Sequence, residues 1–293
     1  DYTERDGAWT PPDGVTTVFV GDLIDRGDHA PAVLDLVRRM VDRGHAQVLM
    51  GNHEYNAIAF WTPDGQGGHL RERTPERRDA HRKFTSHYES RREALASVLD
   101  FFYSLPLVLE LPGGPRVVHA CWSDRHVAAL RAHPLVDDDR LTPAFMHAAR
   151  KRPGQDRQTA EYEIADVLLK GPEVPVAEPF HDAQGTPRWR ARYRWWGPGA
   201  RDDAARILLD HGATPRTGRI PAAQLPDVGR ADPTPVLFGH YWWIDALEPP
   251  SVGPDWACLD HSVALGGHLA AYRWREGDRE LRPERLVRGR AGA

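Results

Sequence analysis

The chain has 293 residues, 27% of them charged, and a formal net charge of −4, with a sequence pI near 6.4. That balance excludes a global attraction to nucleic acid or to an anionic membrane. No stretch approaches the ~18 consecutive apolar residues of a membrane span, the polar start shows no signal peptide, and two cysteines, Cys121 and Cys258, suit small core positions in a reducing compartment. The expected location is the cytoplasm.

In chain order, residues 1–14 read as a poorly anchored linker rich in charge, Gly and Pro. Val18-Phe19-Val20 reads as a strand that ends at Gly21-Asp22-Leu23-Ile24-Asp25-Arg26-Gly27. Pro31 opens a helix whose apolar positions Val33, Leu36, Val37, Met40 and Val41 follow the 3.6 period, and Gly44 closes it. A second strand, Val48-Leu49-Met50, ends at Gly51-Asn52-His53-Glu54. Residues 61–78 read as a loop, and a helical pattern runs from about Pro75 to Phe102; the charged run His69–Arg92 within it reads as solvated helix and loop. Pro106 bars further helix, and Leu107–Leu111 with Arg116–Ala120 forms a hairpin pattern across Pro112-Gly113-Gly114.

Short helices are expected at 124–132, 161–169 and 201–212, and late strands at 236–238, 256–259 and 268–274. Arg188–Trp196 alternates basic and mostly aromatic residues, which fits a strand with an Arg-bearing solvent face and an aromatic core face. An anion platform for polyphosphate or RNA is its functional alternative. The last dozen or so residues form an Arg-rich, mobile tail.

Four polar clusters share one context, since His119 follows Arg116-Val117-Val118 and His240 follows Val236-Leu237-Phe238-Gly239. Each lies at the carboxyl end of an apolar strand, where open α/β sheets gather ligands. Asp22 and Asn52 stand thirty residues apart, one strand–helix–strand unit. Carboxylate, amide oxygen and imidazole suit a divalent ion such as Mn, Fe or Zn, and the guanidinium of Arg26 matches phosphate in shape and charge. Trp122, Tyr241, Trp242 and Trp243 follow the two strand-end histidines. They could stack on a nucleobase, but aromatics beside a buried strand end are more often core.

Gly-Asp-x-x-Asp-Arg-Gly, Gly-Asn-His-Glu and two later histidines make the chain resemble the calcineurin-like metallophosphoesterases, in particular the branch of protein Ser/Thr phosphatases and symmetrical diadenosine tetraphosphatases. The likeness runs from about Val15 to Trp274, and Cys258–Ala264 through Ala271–Trp274 is similar to the closing hairpin of bacterial members. It implies an α/β fold, a four-layer αββα sandwich, in one domain over 1–275 with an insertion at about 135–230. The family's Asp-x-His-Gly motif is absent ahead of Gly21. The resemblance therefore implies that the first strand is missing and the first metal position is incomplete.

Carried over position by position, Asp22 would bridge two divalent ions, Mn first and Fe or Zn as alternatives. Asn52, His119 and His240 would complete the second ion's ligands. His53 would protonate the leaving oxygen, Asp25 would orient that imidazole, and Arg26 with Asn52 would bind the substrate phosphate. The implied activity is two-metal, hydroxide-driven hydrolysis of phosphate monoesters, as in phosphoproteins, or of dinucleoside polyphosphates. These 293 residues alone are expected to turn over an aryl phosphate weakly. Two alternatives stay open: a non-catalytic phosphate- or nucleotide-binding protein, and a nucleic-acid end-processing phosphatase.

Overall fold

Two three-residue strands set up the first polar loop. Thr17–Phe19 runs parallel to Ala46–Val48, with Phe19 opposite Val48. A parallel pair needs a crossover, supplied here by the helix Ala30–Asp42. Pro31 sits in that helix's first turn, where its missing N–H costs nothing, and Leu34, Val37 and Met40 form the buried stripe. Gly44 ends it at φ +71°, its N–H reaching the Val41 carbonyl at 2.9 Å.

The computed structural model describes residues 2–5, 7–151, 158–181, 187–196, 207–208, 224–243 and 251–290. It divides into two compact units, Asp1–Leu109 with Leu130–Ala165, and Glu110–Ala129 with Asp166–Ala293.

In the first unit, the segment expected to be a loose linker is instead a hairpin, Thr3–Arg5 against Ala8–Thr10. Ala8 is fully buried, Arg43 donates to the Arg5 carbonyl at 3.0 Å, and the hydroxyls of Tyr2 and Thr17 lie 2.7 Å apart. The long helical pattern resolves into three helices, Pro75–Ala80, Arg82–Tyr88 and Arg92–Tyr103. The run His69–Arg92 is not wholly solvated. His81, Phe84 and Tyr88 are buried, and their i, i+3, i+7 spacing gives the Arg82–Tyr88 helix an apolar face under its charges.

In the second unit the parallel strands Arg116–Val118, Val236–Phe238 and Trp256–Cys258 lie side by side, with Val236–Phe238 in the middle. Every residue of the middle strand is buried, as expected for a strand covered on both faces. Val108–Glu110 flanks Arg116–Val118, so the expected hairpin is present. Pro187–Tyr193 pairs antiparallel with Glu173–His181. The helix expected over 201–212 falls mostly outside the described residues; within it Ile207–Leu208 is a strand. Leu286–Arg290, expected in a mobile tail, pairs along its length with His268–Tyr272. Together the helices and strands make an α/β fold of mixed layers. Among the described residues, no helix is long and apolar enough to cross a membrane.

Candidate functional site

One buried carboxylate stitches the first two polar loops together. Glu54 has no exposed surface. Its Oε2 accepts from the N–H groups of Gly51 and Asp22, each at 2.9 Å, and its Oε1 accepts from that of Leu23 at 2.8 Å. The Gly51 bond is the Glu half of a capping box at the start of the helix Asn52–Trp61, glycine having no side chain to return the other half. The same helix start donates the His53 N–H to Asp22 Oδ1 at 3.1 Å. Gly51 leaves no room for a side chain, because a Cβ there would stand 2.3 Å from Asp22 Oδ1 and 2.4 Å from Asp22 N.

The loop pays for this arrangement in backbone strain. Asp22 and Asp25 both adopt positive φ, +60° and +74°, a conformation that persists in non-glycine residues only where the surroundings enforce it. Asp25 is thereby turned inward and buried between two imidazoles. Its Oδ2 meets His53 Nδ1 at 2.7 Å, and its Oδ1 meets His81 Nδ1 at 2.7 Å.

The charges follow from these contacts. Burial pulls the Asp25 pKa upward, but hydrogen bonds from His53 and His81 outweigh it and hold the carboxyl below its ordinary value. Burial likewise pulls His53 down, yet the Asp22 charge, the Asp25 bond and charge, and the Glu54 charge together raise it to about 9. His53 is therefore an imidazolium at neutral pH, with Nδ1–H held by Asp25 and Nε2 lying 4.0 Å from Asp22 Oδ2. Burial and the Asp22 charge push Glu54 up to about 7, against the opposing pull of His53 and the backbone N–H groups. Asn52 is half-buried at the start of its helix, and Arg26 is exposed, its carbonyl accepting from Lys83 Nζ at 2.8 Å.

In the second unit His119 and His240 end neighbouring parallel strands, and the Gly239 N–H donates to the His119 carbonyl at 2.9 Å. Both side chains are buried, and their rings meet edge to face at 5.3 Å. His240 has φ +69°, so this loop too holds strain at a polar residue. Trp195 and Trp196 pack on Phe238 with ring centres 5.0 and 4.7 Å away, and the Trp195 indole N–H donates to the Ala120 carbonyl at 3.1 Å. Trp122, Tyr241 and Trp243 are buried, as the core reading of these aromatics holds, while Trp242 is half-buried.

Asp22 in the first unit, and His119 and His240 in the second, are strand-end side chains of the types that ligate a divalent ion. One carboxylate and two imidazoles suit a first-row divalent ion. The strained φ of both Asp22 and His240 fits a site that enforces ligand direction.

The calcineurin-like phosphoesterase family profile matches residues 8–276. The chain belongs to that family. Among curated relatives of this phosphoesterase, the asymmetrical bis(5'-nucleosyl)-tetraphosphatase PrpE of Halalkalibacterium halodurans is 44% identical over 52 residues, 18% of this chain and 21% of that protein. The match thus spans about a fifth of the relative's length. A solved protein serine/threonine phosphatase from Saccharomyces cerevisiae, titled as similar to human phosphatase PP5, aligns at 14% identity over 95% of this chain and 71% of that one, with a TM-score of 0.41.

Two contributions escaped the motif reading: the role of Glu54, and His81 altogether. Glu54 was visible as a motif residue, but its capping of two loops depends on tertiary placement. His81 lies in a charged run, and its one signal was the stripe it forms with Phe84 and Tyr88.

Proposed function

We propose that this chain is a metal-dependent phosphoesterase acting on phosphate monoesters or dinucleoside polyphosphates, with Mn as its preferred ion. The observation that carries the reading lies within the first unit of a calcineurin-like chain: a protonated His53, held by Asp25 at 2.7 Å, whose Nε2 lies 4.0 Å from the Asp22 carboxylate. Asp22, His119 and His240 are proposed as metal ligands. Asn52 is proposed as a further ligand. Asp22, Asn52, His119 and His240 are the side chains that would hold the divalent ions implied by the resemblance. A divalent ion held by these side chains would supply Lewis-acid charge to a phosphoryl group and would make hydroxide available from water near neutral pH.

The chain's own residues do the rest. Arg26 and Asn52 hold the phosphate, Arg26 by charge and Asn52 by its side-chain amide. Asp25 keeps the His53 ring oriented and charged through Nδ1–H. His53 then delivers the Nε2 proton to the leaving oxygen as the P–O bond breaks, so that the product departs as a neutral hydroxyl. The similarity to a dinucleoside tetraphosphatase over 52 residues supports dinucleoside polyphosphate as a substrate class.

The test is phosphate or nucleotide release by the complete gene product from an aryl phosphate, a phosphopeptide and a diadenosine polyphosphate, with Mn and with chelator. Turnover that requires Mn is the expected result. Tight nucleotide binding without turnover would instead establish a binding protein.

A further inference from the structure

His81 belongs to none of the motifs, yet it grips a catalytic carboxylate. Its Nδ1 stands 2.7 Å from Asp25 Oδ1, while His53 Nδ1 occupies Oδ2 at the same distance. On its far side, His81 Nε2 lies 3.3 Å from the Trp61 indole nitrogen. The ring stacks on Phe84 at 4.8 Å and leans on Phe60 at 5.0 Å. His81 and Asp25 are both buried.

The indole decides the tautomer. An indole N–H can only donate, so His81 Nε2 must accept, and the ring's proton sits on Nδ1 facing Asp25. His81 therefore binds Asp25 as a neutral donor. A cation in that place would compensate the carboxylate charge, and Asp25 would have less to give to His53. A neutral N–H fixes the carboxylate's rotation and leaves its charge for the catalytic imidazole. A histidine serving the core alone would not need both nitrogens fixed and a strained Asp25, φ +74°, turned toward it.

We propose that His81, held by Trp61, is a positioning residue for phosphoester hydrolysis: it locks Asp25 so that the second oxygen keeps His53 oriented toward the leaving group. The inference rests on the role given above to His53. It implies a chain of three side chains, Trp61 to His81 to Asp25, that reaches His53 from the helix Asn52–Trp61 and the turn at His81.

Three variants and a spectrum test it. His81→Leu removes the donor and should lower kcat about 10–100-fold, the usual loss for an outer-shell hydrogen-bond partner, with KM unchanged because substrate binding is untouched. His81→Asn keeps an amide N–H at nearly the place of Nδ1–H and should recover most of the rate. Trp61→Phe removes the tautomer-setting donor and should give an intermediate loss. In the metal-free protein, long-range proton–nitrogen NMR spectra should show His81 protonated at Nδ1 alone, and a sharp, hydrogen-bonded His53 Nδ1–H that is kept in His81→Asn.

Should His81→Leu fail to fold, the asparagine variant and the spectra still decide. A rate in His81→Asn as low as in a folded leucine variant, or a His81 proton on Nε2, would overturn the proposal. If the wild-type protein hydrolyses no phosphoester, the functional reading falls, while the spectra report independently on whether His81 locks Asp25 and His53.

Discussion

Replacing His53 by Ala should slow phosphoester hydrolysis ~10²–10⁴-fold in kcat, the range for a lost general acid, with little change in KM. The imidazole is raised to about 9 because the Asp22 and Asp25 carboxylates overcome burial. It therefore carries a proton across the neutral range, as the proposed role of general acid requires. A raised pKa means that activity depending on the protonated ring is present at lower pH and fades as pH climbs through that pKa. Asp25→Asn removes one supporting charge and leaves a single acceptor oxygen where two imidazole N–H groups now find one each, so the alkaline limb of the kcat profile should move to lower pH. The loss should be smallest for substrates with good leaving groups such as aryl phosphates, whose oxygen needs no proton. Unchanged kcat in His53→Ala on an alkyl phosphate would remove His53 from the chemistry.

Replacing Glu54 by Ala should cost stability as well as activity. Three backbone N–H groups, those of Gly51, Asp22 and Leu23, converge on this one carboxylate. Each buried donor left unsatisfied costs about 1–3 kcal/mol, so the sum exceeds the mutual repulsion between Glu54 and Asp22 that the change relieves. A loss of at least about 3 kcal/mol in urea denaturation is expected on that count. Glu54→Gln should fail too, since its amide donors would face backbone donors. Activity should fall further than stability explains, because Asp22 is held at φ +60° partly by this bond. Wild-type stability in Glu54→Ala would show that water replaces the carboxylate at no cost.

The sequence made the strand-end loops legible because each motif follows a short apolar strand. Phe19, Val48, Val118 and Phe238 all sit in strands of the structure. Local pattern also gave the helix Ala30–Asp42, whose buried Leu34, Val37 and Met40 stand at helical spacing. The hairpin Thr3–Arg5/Ala8–Thr10 was missed although Asp6-Gly7 is a two-residue turn signal; three-residue strands are too short for alternation to register. Strand Leu286–Arg290 was hidden by its arginines, which a strand pairing through its backbone tolerates. His81 was hidden by neighbouring charge. Its partner Asp25 is fifty-six residues away, and no local pattern records that contact.

The most direct measurement is calorimetric titration of Mn into the wild-type protein and into His119→Ala, His240→Ala and Asp22→Asn, each checked for folding by circular dichroism. The proposed ligand set predicts that removing any one of these side chains weakens Mn binding and abolishes Mn-dependent phosphate release in parallel. Wild-type Mn affinity in all three variants would contradict a metal centre at Asp22, His119 and His240.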